Sequence, residues 1–355
     1  MTYLLGKSEY LHTIYLNLAS GWHILYLMTL QEIYDLAIEM GMAADPRGKV
    51  AVKKLLAKRK KDYTDLPEKK KKFFDKENFT NPYSDSRILF GDPKISVKKL
   101  MAGIDAEEAE VLLLDRLNQK GLPAGRQDKI DLLVSHHPVG HARASLDEVM
   151  DVQVDMFANA GVPENVAYSL FEARKGVVRR RIGPSNHGRA IDAAKLLDVP
   201  LLALHTIWDN MGYKFMKDYL GNKKFDTLGE LLDYILEIPE FQESTKGKAG
   251  PAITAGSPGS RVGKITVGFT GGTNASKELY VELAKAGVGT IVEMHVGEEV
   301  VEELKKLHIN IIDVGHMAAD SIGANLFLDA LEKRGVEVIP CSGLIRVKRG
   351  RKNGT

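Results

Sequence analysis

Ile130-Asp131-Leu132-Leu133-Val134-Ser135-His136-His137-Pro138 is the most telling stretch of this chain. The apolar run reads as a short buried strand, and the proline marks where the chain leaves a sheet. Two adjacent imidazoles at a strand's carboxyl end point in different directions, so each can serve one of two neighbouring metal ions. Open α/β sheets place their ligands along that edge. The plain alternative is a pair of loop histidines, one solvated and one hydrogen-bonded. Upstream, residues 100–105 read as a strand and 106–118 as an amphipathic helix with Val111, Leu112, Leu114 and Leu117 on its apolar face. A Gly/Pro-containing loop at 121–126 then leads into the histidine strand. This is a βαβ unit, and it predicts a parallel sheet.

Downstream, helical patterns cover 146–158, 166–172 and 188–197, with a basic segment from Arg174 to Arg181 between the last two. Residues 200–204 form a second buried strand, and it too ends in a histidine, His205, followed by Thr206 and Asp209. Residues 243–260 are rich in Gly, Ser, Thr, Lys and Pro and read as a linker. The alternation then restarts: strand 264–269, helix 274–286, strand 290–294 ending at His295, helix 298–307, strand 309–314 ending at His316, helix 321–333 and a last strand at 336–339. The expected fold is α/β, with two lobes built on mostly parallel sheets. The N-terminal lobe spans 28–242 and the C-terminal lobe 261–348, with a tail at 349–355.

Composition narrows the partners. An apolar fraction of 44% and a charged fraction of 27% are those of an ordinary globular protein. Forty-nine lysines and arginines against 47 acids leave a net charge of +2, too small to indicate a polyanion. The lysine runs at 58–61 and 69–72, broken by Pro67, read as a solvated helical insertion, and nucleic-acid binding is the minority reading. One cysteine, Cys341, excludes an internal disulfide framework and a cysteine-based zinc site. A reducing, cytoplasmic setting is expected. Residues 1–27 are apolar but interrupted by Lys7, Glu9, His12, Asn17 and His23, too polar to span a bilayer. They are expected to be an extended start or an accessory arm ahead of Met28, where an amphipathic helix opens.

Histidines or carboxylates thus follow four separate strands: His136 and His137, His205 with Asp209, His295, and His316 with Asp320. Imidazole and carboxylate together suit zinc, iron, manganese or nickel. Taken singly, His205 and His295 can be core or rim histidines, and Asp209 or Asp320 a helix N-cap. Repetition of the same placement weakens that account. Phe269-Thr270-Gly271-Gly272-Thr273-Asn274 is a weaker signal, a tight turn with an anion cradle as the alternative. The arginines at 174–189 fit either a phosphate or a subunit contact.

Taken in order, Ser135-His136-His137-Pro138, His205-Thr206-x-x-Asp209 and Gly315-His316-x-x-x-Asp320 resemble the motifs of the NIF-three-like dinuclear-metal proteins, a family often labelled GTP cyclohydrolase I type 2 homologues. The resemblance spans about Met28 to Val347. It implies a toroidal homo-oligomer, commonly a homohexamer, with two divalent transition-metal ions held between the lobes of each subunit. Carried over by position, the ligands fall on His136, His137, Asp209, His316 and Asp320, with His205 a close neighbour. The family's last ligand is usually glutamate, and Asp320 is one methylene shorter. The expected activity is a metal-dependent hydrolase acting on a nucleotide-like or phosphorylated small molecule, with GTP ring opening among the reactions and His205 or His295 shuttling protons. The competing expectation is a non-catalytic metal-binding scaffold, chaperone or regulatory partner.

Overall fold

The computed structural model describes residues 13–18, 21–120 and 129–350. The loop read at 121–126 therefore lies outside the described residues, as do residues 1–12 of the amino-terminal arm and 351–355 of the tail. An antiparallel pair, β1 (Thr13–Leu18) and β2 (Gly21–Tyr26), is followed by the short strand β3 (Met28–Thr29) and helix α1 (Leu30–Ala44). Thr29 and Glu32 form a capping box that satisfies the first free amides of α1. Leu30, Ile33, Tyr34, Ala37, Gly41 and Ala44 recur at helical spacing and are buried. The basic insertion is helical, as α2 (Lys49–Asp65) and α3 (Glu68–Lys71) on either side of Pro67. Only Val52 of α2 is buried, so its lysines are a solvated face.

The first sheet follows. β4 (Ser86–Phe90), β6 (Lys99–Gly103), β7 (Leu132–Ser135), β8 (Leu201–Leu204) and β13 (Glu337–Cys341) lie in the order β13-β6-β7-β8-β4. All neighbours are parallel except β4, which runs antiparallel to β8. A short strand, β5 (Ser96–Val97), pairs with β3. Between β6 and β8 come α4 (Glu108–Lys120), α5 (Gly140–Ala144), α6 (Asp151–Asn159), α7 (Glu164–Ile182) and α8 (Arg189–Leu196). Helix α7 takes in the basic segment that the sequence placed after a shorter helix.

After β8 the chain forms α9 (Thr206–Leu220), α10 (Leu228–Ile235) and α11 (Pro239–Lys246). The second sheet has the order β10-β11-β12-β9. Its members are β9 (Ala252–Ala255), β10 (Lys264–Gly268), β11 (Val288–Glu293) and β12 (Asn310–Asp313). Three of them are parallel, and β9 is an antiparallel edge. Helices α12 (Lys277–Lys285), α13 (Glu298–Lys306) and α14 (His316–Glu332) complete this half. The architecture is therefore α/β with mostly parallel sheets.

Three details differ from the local reading. Residues 243–260, read as a linker, contain the end of α11 and the whole of β9. The strand expected at 336–339 after the second lobe's helices returns to the first sheet, where β13 pairs with β6. Helix α14 starts at His316 rather than at Ser321, so Asp320 lies inside it and is no N-cap.

Each sheet buries both faces, as a parallel sheet covered by helices must. Leu132 and Val134 enter a core with α1, α9 and α14, while Leu133 packs with α4 and α8 on the opposite face. In the second sheet Ile291 and Ile311 face α6, α7, α12 and α13. Val292 and Ile312 face α9, α10, α11 and α14. Helices α9 and α14 thus contribute to a core on each sheet and pack against one another. No helix among the described residues is long and apolar enough to cross a membrane.

Candidate metal centre

The carboxyl ends of both sheets contribute to one cavity of about 380 Å³. From the first sheet come Asp105, His137, His205 and Asp209; from the second come Gly268, Phe269, Glu293, His295 and His316. The β6–β7 ladder continues past the end of β7. The His136 and His137 amides donate to the carbonyls of Gly103 and Ile104 at 2.9 and 2.8 Å, which fixes both imidazoles at the sheet edge.

The His136 ring stacks on the Trp208 indole, with centroids 5.5 Å apart. Its Nδ1 lies 3.1 Å from the Leu204 carbonyl, and that of His137 lies 2.7 Å from Asp105 Oδ1. Carbonyl and carboxylate oxygens only accept, so each Nδ1 donates and each Nε2 is turned to the centre. His136 Nε2 is 3.3 Å from Asp209 Oδ1 and 3.5 Å from Asp320 Oδ1. His137 Nε2 is 3.3 Å from both Asp320 Oδ2 and His316 Nε2. His316 and Asp320 sit one turn apart on α14, with Nε2 to Oδ2 at 3.3 Å.

Two groups of potential ligands share Asp320, His136–Asp209–Asp320 and His137–His316–Asp320, and His136, His137 and His205 form a third, the donor atoms of each lying within 4.8 Å of one another. His136 Nε2 and both Asp320 oxygens are buried without a hydrogen-bond partner, a costly arrangement for polar atoms unless a cation satisfies them. Imidazole and carboxylate donors without thiolate suit a divalent transition metal. The residues present therefore fit such ions. The shorter aspartate still presents one oxygen to His136 and the other to His137.

The electrostatics agree. Burial opposes a charge on His136, but Asp320 and Asp209 outweigh it and hold its proton affinity well above the ordinary imidazole range. Burial would likewise raise Asp320, yet His136, His137 and His316 hold it well below the usual carboxylate range. Burial pushes His316 down to about 4, with His137 and His295 adding to the effect against Asp320.

His205 lies beside these groups, its ring centroid 5.0 Å from that of His136, and its Nε2 is 3.9 Å from Asp209 Oδ2. Burial opposes its charge, and Asp209 and then Asp85 outweigh burial and raise its affinity for a proton. His295 stands on the second-sheet side, its ring 4.6 Å from that of His316, and it belongs to none of the three groups. The glycine turn makes no anion cradle at a helix start, because α12 begins only at Lys277. Gly271 and Gly272 have φ of +106° and +84° and wrap around Gln153, whose Nε2 donates to the carbonyls of Thr270, Gly271 and Thr273 at 3.3, 3.1 and 2.5 Å. Several of the basic side chains on α7 are engaged at the surface: Arg179 with Asp147, and Lys175 with Asp151 and Glu172.

Sequence reasoning missed Asp85 and Asp105, the carboxylates behind His205 and His137, and Glu293 in the cavity wall. Asp105 closes the quoted strand at 100–105, so its place at a sheet edge was a usable signal. Asp85 had none, since its partner is 120 positions away.

Two α/β halves with potential metal-ligand side chains at their facing sheet edges define an α/β protein with a candidate metal site. No protein-family model and no curated protein matches the chain. Among solved structures it is similar to a NIF3 superfamily protein from Sphaerobacter thermophilus, with a TM-score of 0.68 and 26% identity over 89% of this chain and 99% of that one. It also matches reduced HcgD from Methanocaldococcus jannaschii, with a TM-score of 0.46 and 13% identity over 76% and 93% of the two chains. A Bacillus cereus protein related to NIF3 gives a TM-score of 0.39 and 11% identity over 72% and 90%. On the first of these similarities, together with the three motifs, the chain is NIF3-like in fold and in the residues of its candidate site.

Proposed function

We propose that this protein is a dinuclear-metal-dependent hydrolase acting on a nucleotide-like or phosphorylated small molecule. The observation that carries the reading is Asp320, whose two buried oxygens lie between His136 with Asp209 on one side and His137 with His316 on the other, beside an open cavity. His136, Asp209 and Asp320 would hold one ion, and His137, His316 and Asp320 the other. Bound divalent ions supply Lewis acidity, which makes water nucleophilic near neutral pH and stabilises charge developing on a reacting oxygen. His205 then takes up or returns a proton at Nε2, the ring atom on the side of the centre. His295, on the opposite wall, is the second candidate for proton transfer.

Around them the walls orient a ligand. Phe157, Met156, Leu146 and Phe269 give apolar surface, and Thr270, Thr273 and Asn274 give neutral polar groups. Arg143 is the cation of the lining and lies 3.8 Å from Glu107. A homohexamer in the cytoplasm, and ring opening of the GTP cyclohydrolase type, belong to the same proposal as its finer parts.

Elemental analysis of natively purified protein tests the reading. About two transition-metal equivalents per subunit are expected, falling sharply in Asp320→Asn, followed by turnover in a screen of nucleotides and phosphate esters. Near-zero metal after incubation with zinc, iron or manganese would remove the centre. Full metal with no turnover against that screen would favour a non-catalytic metal-binding scaffold.

A further inference from the structure

Strands β4 and β8 run antiparallel with Ser86 opposite Leu204, so one step further along Asp85 falls across from His205. Asp85 is fully buried and His205 only 7% exposed. Asp85 Oδ2 lies 2.8 Å from His205 Nδ1 and accepts from Thr206 Oγ1 at 2.7 Å. Its Oδ1 accepts from Ser86 Oγ at 3.2 Å, and Ser86 Oγ in turn accepts the His205 backbone N–H at 2.9 Å. The carboxylate is therefore held on both oxygens and cannot swing away from the ring.

An ionised carboxylate has no proton to give, so in neutral His205 the proton resides on Nδ1 and the lone pair on Nε2. That lone pair is turned to Asp209 and the rings of His136 and His137, whose centroids lie 5.0 and 5.9 Å away. Without Asp85 the two neutral tautomers would interconvert, and one of them would present an N–H where a lone pair is needed.

We propose that Asp85 is a positioning residue: it locks His205 as the Nδ1–H tautomer with a bare Nε2 directed at the candidate metal centre. What His205 does there rests on the hydrolase reading above; how it is held does not. The arrangement repeats the one at His137, where Asp105 occupies the same ring nitrogen. Carboxylates behind imidazoles commonly fix tautomer and orientation in this way. A purely structural Asp85 would instead serve Thr206 at the start of α9.

The test is long-range nitrogen–proton NMR of the full chain, histidine-labelled with nitrogen-15 and loaded with cadmium-113, at alkaline pH where the imidazole is neutral. His205→Gln assigns the signals. The wild-type protein should show one His205 tautomer, protonated at Nδ1. Asp85→Ala should lose that single form to an average of both tautomers, and Asp85→Asn, which keeps an acceptor oxygen, should restore it. Thr206→Val should leave the His205 signals in place while lowering Tm. A wild-type His205 protonated at Nε2 overturns the proposal whether or not Asp85→Ala folds, and so does an Asp85→Ala protein that keeps the single Nδ1–H form. Direct coupling of cadmium to His205 Nε2 would make His205 a ligand and end its proton-transfer role, leaving the action of Asp85 intact.

Discussion

Gly268 and Glu293 are register partners on β10 and β11, and a Cβ on Gly268 would fall 2.0 Å from Glu293 Oε1. The missing side chain is what gives the buried carboxyl its room. Burial pushes Glu293 up to about 8, Asp313 on β12 adds to the rise, and the Tyr280 hydroxyl, donating at 2.8 Å, works against it. The sign of the consequence is fixed. The folded protein keeps this proton while the unfolded chain releases it near the ordinary value of 4.5. Stability is therefore full below that value, declines as pH rises toward about 8, and is flat beyond it, with a limiting slope of about 1.4 kcal/mol per pH unit. Glu293→Gln retains the acceptor for Tyr280 and cannot ionise, so it should remove this part of the slope. Denaturant titrations of both proteins at several pH values check it; parallel curves would show that Glu293 ionises alike in both states. His295, two residues on, stands out in the sequence by type and strand-end position. Glu293 does not, because its burial and the groups facing it come from other elements, Tyr280 from α12 and Asp313 from β12.

At the scale of elements, the centre depends on how α9 carries Asp209 past α14 carrying His316 and Asp320. The two helices meet at Gly323, where a Cβ would lie 1.9 Å from the Trp208 carbonyl oxygen. Backbone lies against backbone there, and no side chain can turn aside. Gly323→Ala should therefore destabilise the protein by about 1–3 kcal/mol, the usual range for overpacking. It should also lower metal content by moving Asp320 away from Asp209. Gly212→Ala is the control, since its new Cβ would meet the Ala319 carbonyl oxygen at an ordinary 3.5 Å. Equal melting temperatures for the two variants would contradict the tight crossing. The same crossing explains why the sequence misplaced the start of α14. Asp320 ahead of Ser321 has the composition of an N-cap, but the chain turns helical earlier, after Gly315 at φ +91°. Packing of Ala318, Ala319 and Ile322 into the second-sheet core outweighs the local preference.

For the whole molecule, the candidate ligands come from the end of β7, from α9 and from α14, segments far apart in the chain that folding brings together. Ions that bind only the folded form stabilise all of it by mass action, about 2.7 kcal/mol at a hundredfold excess over Kd. Addition of zinc should accordingly raise Tm by several degrees, and a chelator should reverse the gain. Asp320→Asn, which takes a ligand from both groups that share it, should abolish the difference between metal and chelator, while His205→Gln should keep it. Scanning calorimetry separates these cases, and a zinc response that survives in Asp320→Asn would place the ions elsewhere.

The sequence by itself determined the local pieces. Apolar runs of strand length, helical periodicity and histidines at strand ends are written within a few residues of one another, and they mark His136, His137, His205, His295 and His316. The tertiary structure alone decided which edges meet. It returned β13 to the first sheet, paired β9 with β12, and set α9 and α14 between the two sheets. It also placed Asp85 behind His205 and Asp320 between two histidine pairs. The reason is physical: periodicity records which face of an element is buried, but not which distant partner buries it, and the centre is made of partners.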